Sequence, residues 1–284
     1  MSKIVWLASY PKSGSTWLRA FLSNYWSDAP EPANINALRV GGIASARFPF
    51  EDLVGVESSD LTPTQILNCR PMVYRLYAAE SDTLLFLKAH DAYQQTPAGE
   101  PLFPADATQG VLYLIRHPCD VAVSYAYHNS ISLDHAIACM QNPAHTLAGT
   151  SQRLELQLEQ KLLTWSAHAR SWLTSGLPCH VMRYEDMLAQ PHETFRAAIC
   201  FIGWDDDAER LARALHFSRF DELYAQEQRE NFNERPPRAP KFFRQGKAGA
   251  WREILSAAQV AAIVDAHRDV MRQFGYLDAK GNVL

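Results

Sequence analysis

Cysteine is sparse in this 284-residue chain, and its placement suits no cross-link. Cys69, Cys119, Cys139, Cys179 and Cys200 are scattered, odd in number, and include no C-x-x-C pair. That pattern excludes a disulfide framework or cysteine zinc site and predicts reduced, mostly buried thiols in a cytoplasmic protein. Long apolar runs are also missing: none approaches the roughly 18 residues needed to span a bilayer. The start, Met1–Trp6, lacks the basic, apolar and small-residue layout of a secretion signal. No charge sign dominates either, since 27 Lys and Arg against 31 Asp and Glu leave a net −4. A general attraction to nucleic acid or a membrane surface is therefore not expected. What remains is an ordinary globular composition, 47% hydrophobic and 20% charged. With no repeat or linker, it predicts one domain over 1–284.

Ile4–Ser9 is a short apolar run ending in a Pro/Gly/Ser cluster, and Ser15–Trp26 carries Trp17, Leu18, Phe21, Leu22 and Tyr25 at helical spacing. The chain thus opens as strand, polar loop, helix. Residues 28–72, broken by Pro30, Pro32, Pro49, Pro63 and Pro71, read as loops and short helices. Thr83–Ala89, Gly110–Ile115 and Cys179–Met182 read as strands buried on both faces. They end at Lys88-Ala89-His90, Arg116-His117-Pro118 and Arg183-Tyr184-Glu185-Asp186. A long helix is expected to carry Leu158, Leu162, Trp165, Ala169 and Trp172 on one face. Glu230–Lys241 reads as loop, and Ser256–Phe274 as a helix with a Ser256/Gln259 capping box stopped by Gly275. Strands alternating with helices predict an α/β fold, a parallel β-sheet flanked by helices, with ligands at the carboxyl ends of the strands.

The first such end, Tyr10-Pro11-Lys12-Ser13-Gly14-Ser15-Thr16-Trp17, has the makings of a phosphate cradle. Helix N-terminal N–H groups and the helix dipole favour an anion, Gly14 permits close backbone approach, and Lys12 adds charge. A serine-capped helix start with an exposed lysine is the plainer alternative. The loop is not a Walker A motif, because Lys12 precedes its only glycine. No strand-terminal Asp stands ready for magnesium, so a donor that needs no metal is expected.

These residues closely resemble the 5′-phosphosulfate loop of the sulfotransferases that use 3′-phosphoadenosine 5′-phosphosulfate (PAPS). Further segments agree in order and approximate spacing. Arg116 and Ser124, eight positions apart, resemble the family's 3′-phosphate element; Lys88-Ala89-His90 its Lys-x-His strand end; Tyr184-Glu185-Asp186 its Tyr-Glu-Asp segment. Arg244-Gln245-Gly246-Lys247-Ala248-Gly249-Ala250-Trp251 is a degraded form of its Arg-Lys-Gly-x-x-Gly-Asp-Trp motif, with Gln245 and Ala250 as departures. The resemblance implies a P-loop-like three-layer sandwich and the following roles. Lys12, Ser13, Gly14, Ser15 and Thr16 would hold the phosphosulfate. Trp17, Tyr184, Ser218 and Phe220 would adjoin adenine. Arg116, Ser124, Arg244, Gln245 and Gly246 would hold the 3′-phosphate. Packing in the helix core is the alternative for Trp17 and Phe220.

The implied reaction is in-line transfer of the sulfuryl group to an acceptor hydroxyl, releasing adenosine 3′,5′-bisphosphate (PAP). His90 would be the base, with Lys12 and Lys88 stabilising charge. Ser124 would hold Lys12 back until an acceptor binds. His128, His135, His145 and His168 read as surface or packing residues. A nucleotide kinase and a catalytically inactive binding protein on the same fold are the competing readings. Residues 28–82, 91–105, 128–150 and 225–243 are expected to shape the acceptor pocket. Phe48, Phe50, Tyr74, Tyr77, Tyr93 and Tyr127 point to an aromatic or apolar acceptor, such as a phenol or a glycopeptide-like natural product.

Overall fold

Apolar stretches from across the chain pair into one five-stranded parallel sheet flanked by helices. The computed structural model describes residues 3–149 and 154–284. Thr150, the last residue of the predicted acceptor stretch 128–150, and the first two residues of Met1–Trp6 lie outside them. In chain order the elements are β1 (Ile4–Ser9), α1 (Ser15–Ser27), β2 (Gly42–Ile43), α2 (Arg47–Val54), α3 (Pro63–Glu80), β3 (Leu85–Ala89) and β4 (Thr108–Ile115). There follow α4 (Pro118–Asn129), α5 (Leu133–Gln141), β5 (Thr146–Leu147), β6 (Gln160–Lys161), α6 (Trp165–Leu173) and β7 (Cys179–Arg183). The chain closes with α7 (Tyr184–Ala189), α8 (Pro191–Ile202), α9 (Ala208–Phe217), α10 (Phe220–Glu230) and α11 (Ala257–Gln273). The sheet order is β2-β3-β1-β4-β7.

Two compact units emerge. The first comprises residues up to Tyr10, Gly41–Tyr113 and Asn142–Val181; the second comprises Pro11–Val40, Leu114–Gln141 and Met182–Leu284. In the first, β1 is wholly buried because β3 and β4 flank it. Its Trp6 donates to Thr108 Oγ1 at 2.8 Å and meets Tyr74 and Phe103 edge-on at 5.0 and 4.8 Å. Ala8 is in register with Ala89, so Ser9 and His90 leave β1 and β3 as neighbours. In the second unit α1 packs on α9, and α4 on α5 and α11.

Several expectations are corrected. The proline-broken region contains a long helix, α3. Thr62 and Gln65 cap it reciprocally, and Pro63 takes the first turn, where no N–H is missed. Pro71 sits inside α3, and burial of Arg70, Val73 and Tyr74 around it outweighs the lost hydrogen bond. The edge strand β2 is only two residues long, too short to show strand periodicity in the sequence. Leu158 and Leu162 are buried but not helical: Leu163 takes a left-handed φ of 61°, and α6 starts only where Thr164 caps it. Of the predicted doubly buried strands, β4 is closely so, whereas β3 and β7 are half-exposed. Phe50 and Tyr74, assigned to the acceptor pocket, are core residues, while Phe48 is exposed. Among the cysteines only Cys119 is buried; Cys200 is exposed, and the other three are intermediate.

The first unit also holds a buried polar chain. His168 Nε2–H donates to the His90 carbonyl at 3.1 Å, and its Nδ1 accepts from Tyr113 Oη–H at 2.9 Å. Burial holds the His168 pKa down to about 4. A histidine depressed in the folded state keeps its stabilising effect above the unfolded value and loses it as pH falls. Stability is therefore expected to fall between pH 6.5 and 4, by about 3 kcal/mol from this group alone. Urea midpoints across that window should show the slope, and His168→Gln should reduce it; an unchanged slope in the variant would refute the assignment.

Candidate active site

In the second unit the chain turns from β1 into α1 through a loop set by two left-handed residues, Lys12 at φ 72° and Gly14 at φ 105°. A Cβ on Gly14 would stand 2.8 Å from Tyr184 Cδ2, so both conformation and space demand glycine. Gly14 is the N-cap of α1 and supplies no side chain, and the first turn carries no acidic residue. The first-turn N–H groups therefore meet no carboxylate from their own turn, and Ser13, Ser15 and Thr16 lie buried beside them.

Arg116, just past β4, closes over this loop. Its Nη1 donates to the Lys12 carbonyl at 3.3 Å, and its Nη2 donates to the Lys247 carbonyl at 3.2 Å. The guanidinium lies 4.2 Å from the centre of the Tyr184 ring. Its Nε is buried with no hydrogen-bond partner among the described residues. Arg244 stands over Tyr127 at 5.3 Å, and its pKa is lowered by burial and then by the Arg116 charge. Two guanidiniums that repel each other beside a buried, unsatisfied N–H describe a place built for an anion. Ser124 is half-buried on α4, two turns beyond Arg116. Gln245 is exposed.

Aromatic rings adjoin the loop. Trp17 meets Tyr184 and Phe195 edge-on at 5.9 and 5.4 Å. Trp17 and Phe220 are both half-buried at the margin of one apolar cluster. Gly246 takes φ 60° with Phe220 against the space where a side chain would go. Ser218 is placed differently: fully buried, it gives its hydroxyl proton to the Ala214 carbonyl at 2.8 Å, ending α9.

Some residues of this site had no sequence-based role. Asp120 Oδ2 accepts from Gly249 N at 2.7 Å and Oδ1 from Trp251 N at 3.3 Å, pinning the segment that carries Arg244. Glu185 accepts from His117 N and Tyr276 Oη, both at 2.9 Å. His128 lies 3.0 Å from Lys12 Nζ. Asp120, Ser124 and His128 recur every four residues along α4, a spacing that places them on one face and could have flagged Asp120 and His128 beside Ser124.

Lys88 and His90, at the end of β3, belong to the first unit. His90 Nδ1 lies 2.9 Å from the Ser9 carbonyl. A carbonyl only accepts, so Nδ1 carries the proton and Nε2 keeps its lone pair. The next residue is locked: Asp91 accepts two bonds from Arg70, at 2.9 and 2.6 Å, and Trp172 Nε1 donates to its carbonyl at 3.0 Å.

A strand–loop–helix turn and strand-end basic residues on a parallel sheet give an α/β protein whose chemistry suits a small, highly charged anion. The family model for the sulfotransferase domain matches residues 2–275, and the chain belongs to that family: it is an enzyme of sulfuryl transfer. Among characterised relatives, it is 24% identical to mouse Sulfotransferase 1B1 over 89% of this chain and 77% of that one. To human Sulfotransferase 2B1 it is 25% identical, over 94% of this chain and 66% of that protein. Its fold resembles mouse sulfotransferase SULT7A1, solved in complex with PAP, with TM-score 0.59 and 15% identity over 95% of this chain and 85% of that one. Retinol dehydratase, solved with retinol and PAP, gives TM-score 0.60 and 20% identity over 96% and 82%.

Proposed function

We propose that this enzyme transfers a sulfuryl group from PAPS to a hydroxyl of a small-molecule acceptor, a phenol or alcohol, and releases PAP. The observation that carries the donor assignment is the pairing of Arg116 and Arg244 next to an unsatisfied buried Nε. A nucleotide with phosphates at both 3′ and 5′ suits two basic positions, Arg116 with Arg244 and Lys12 with the loop. PAP in the solved relatives supports the same reading. PAPS supplies the activated sulfuryl group.

The residues then divide the work. Backbone N–H groups of residues 13–16 and Lys12 hold the 5′ end. Arg116, Ser124, Arg244 and the Gln245-Gly246 backbone hold the 3′-phosphate. Trp17, Tyr184 and Phe220 offer apolar surface to the base. Ser218 would support the adenine side through the end of α9. His90 Nε2 takes the acceptor proton, and Lys88 adds positive charge for the developing anion. Half-buried Tyr93 and Tyr127 keep an aromatic or natural-product acceptor as the favoured class, consistent with secondary-metabolite sulfation in a reducing cytoplasm.

Thermal shift tests the donor assignment. PAP without magnesium, at about a hundred times its Kd, should raise Tm by roughly 5–10 °C. Arg116→Ala should remove most of that rise. Preference for Mg-ATP over PAP would overturn the reading in favour of a kinase.

A further inference from the structure

The histidine that faces Lys12 belongs to no motif. His128 lies in the last turn of α4, half-buried, with its Nδ1 3.0 Å from Lys12 Nζ. The Phe242 ring completes the arrangement: Lys12 Nζ lies 4.3 Å from its centroid, and the His128 ring meets it edge-on at 5.8 Å. An ammonium only donates, so His128 presents a lone pair at Nδ1 and carries its proton on Nε2. The face of Phe242 attracts the same cation. At the other end of the residue, the Lys12 carbonyl accepts from Arg116 and the backbone is fixed in the left-handed region.

We propose that His128 is a positioning residue for Lys12: its Nδ1, with the Phe242 ring, pre-orients the ammonium for the 5′-phosphate of the nucleotide. The proposal rests on the donor reading given above. A free lysine head samples many rotamers and loses that freedom on meeting a phosphate. Here one N–H is directed at His128. The flexible stem is thereby ordered before the nucleotide arrives, and the affinity that Lys12 provides depends on His128. The alternative is competition, in which His128 must give up Lys12 and weakens nucleotide binding.

The test is a double-mutant cycle on PAP binding, measured by calorimetry with the full chain. His128→Phe keeps a ring beside Phe242 but has no acceptor; His128→Asn keeps an acceptor oxygen near the Nδ1 position. His128→Phe should weaken PAP binding about fivefold, and His128→Asn should recover most of the loss. In a Lys12→Met background, His128→Phe should cause no further loss. Tighter binding by His128→Phe, a full loss surviving in Lys12→Met, or a failure of His128→Asn to recover affinity would each overturn the proposal. If His128→Phe does not fold, the His128→Asn and Lys12→Met pair decides: Asn must stay within about twofold of the wild type. Absence of PAP binding by the wild type would overturn the donor reading itself. Normal wild-type binding with additive variants would overturn only the role of His128.

Discussion

Replacing His90 with alanine is expected to lower kcat for sulfuryl transfer by about 10²- to 10⁴-fold, the range a general base contributes. The argument begins in the sheet. Ala8 and Ala89 are paired across β1 and β3, so the residues that follow, Ser9 and His90, emerge together. The Ser9 carbonyl accepts from His90 Nδ1–H at 2.9 Å, and His168 Nε2–H donates to the His90 carbonyl at 3.1 Å. The imidazole is thereby fixed in orientation and tautomer, with the lone pair on Nε2. The proposed roles give His90 no part in holding the nucleotide, so PAP binding should be preserved in His90→Ala. Steady-state rates with a phenol and alcohol panel, paired with PAP calorimetry, separate the two effects. Transfer within about threefold of the wild type would dismiss His90 as the base.

Asp91→Ala should destabilise the protein by about 3–5 kcal/mol, because it strands a buried guanidinium. The Arg70 and Asp91 side chains are each only 1% exposed. Burial opposes the Arg70 charge, yet Asp91 and Tyr74 more than offset this, and its pKa is raised. Arg70 Nε also donates to Tyr74 Oη at 3.0 Å. Removing Asp91 leaves the Arg70 charge without the partner that balanced its desolvation. The Tm should drop by on the order of 10 °C. Replacing both residues with apolar ones, as in Arg70→Met with Asp91→Leu, should cost less than the single change, since no charge is left buried. A single variant that melts with the wild type would show that the pair contributes nothing.

The local parts of the site were legible in the sequence. The strand, polar loop and helix over residues 4–27 follow from a continuous apolar run, a loop rich in small residues, and apolar spacing of three and four. The Ser256/Gln259 cap and Gly275 stop of α11 also follow from neighbouring residues. Proline misled where its local cost was outweighed: Pro63 begins α3 and Pro71 lies inside it, held by packing that no short window contains. Aromatic composition did not separate core from surface: Phe50 and Tyr74 are buried in the core, while Phe48 is exposed.

The sequence by itself placed Lys12, Lys88, His90 and Arg116 at the ends of strands, because the element that carries each is encoded within about ten residues of it. It could not choose their partners. Lys12 finds His128 at a separation of 116 residues, and His90 finds Ser9 at 81. Those choices belong to the tertiary structure. Strand register sets the second, while the first depends on where the last turn of α4 and the Phe242 segment come to rest. A side chain's charge is fixed by its type, but its tautomer, orientation and working partner are fixed by whatever the fold brings within 3 Å of it.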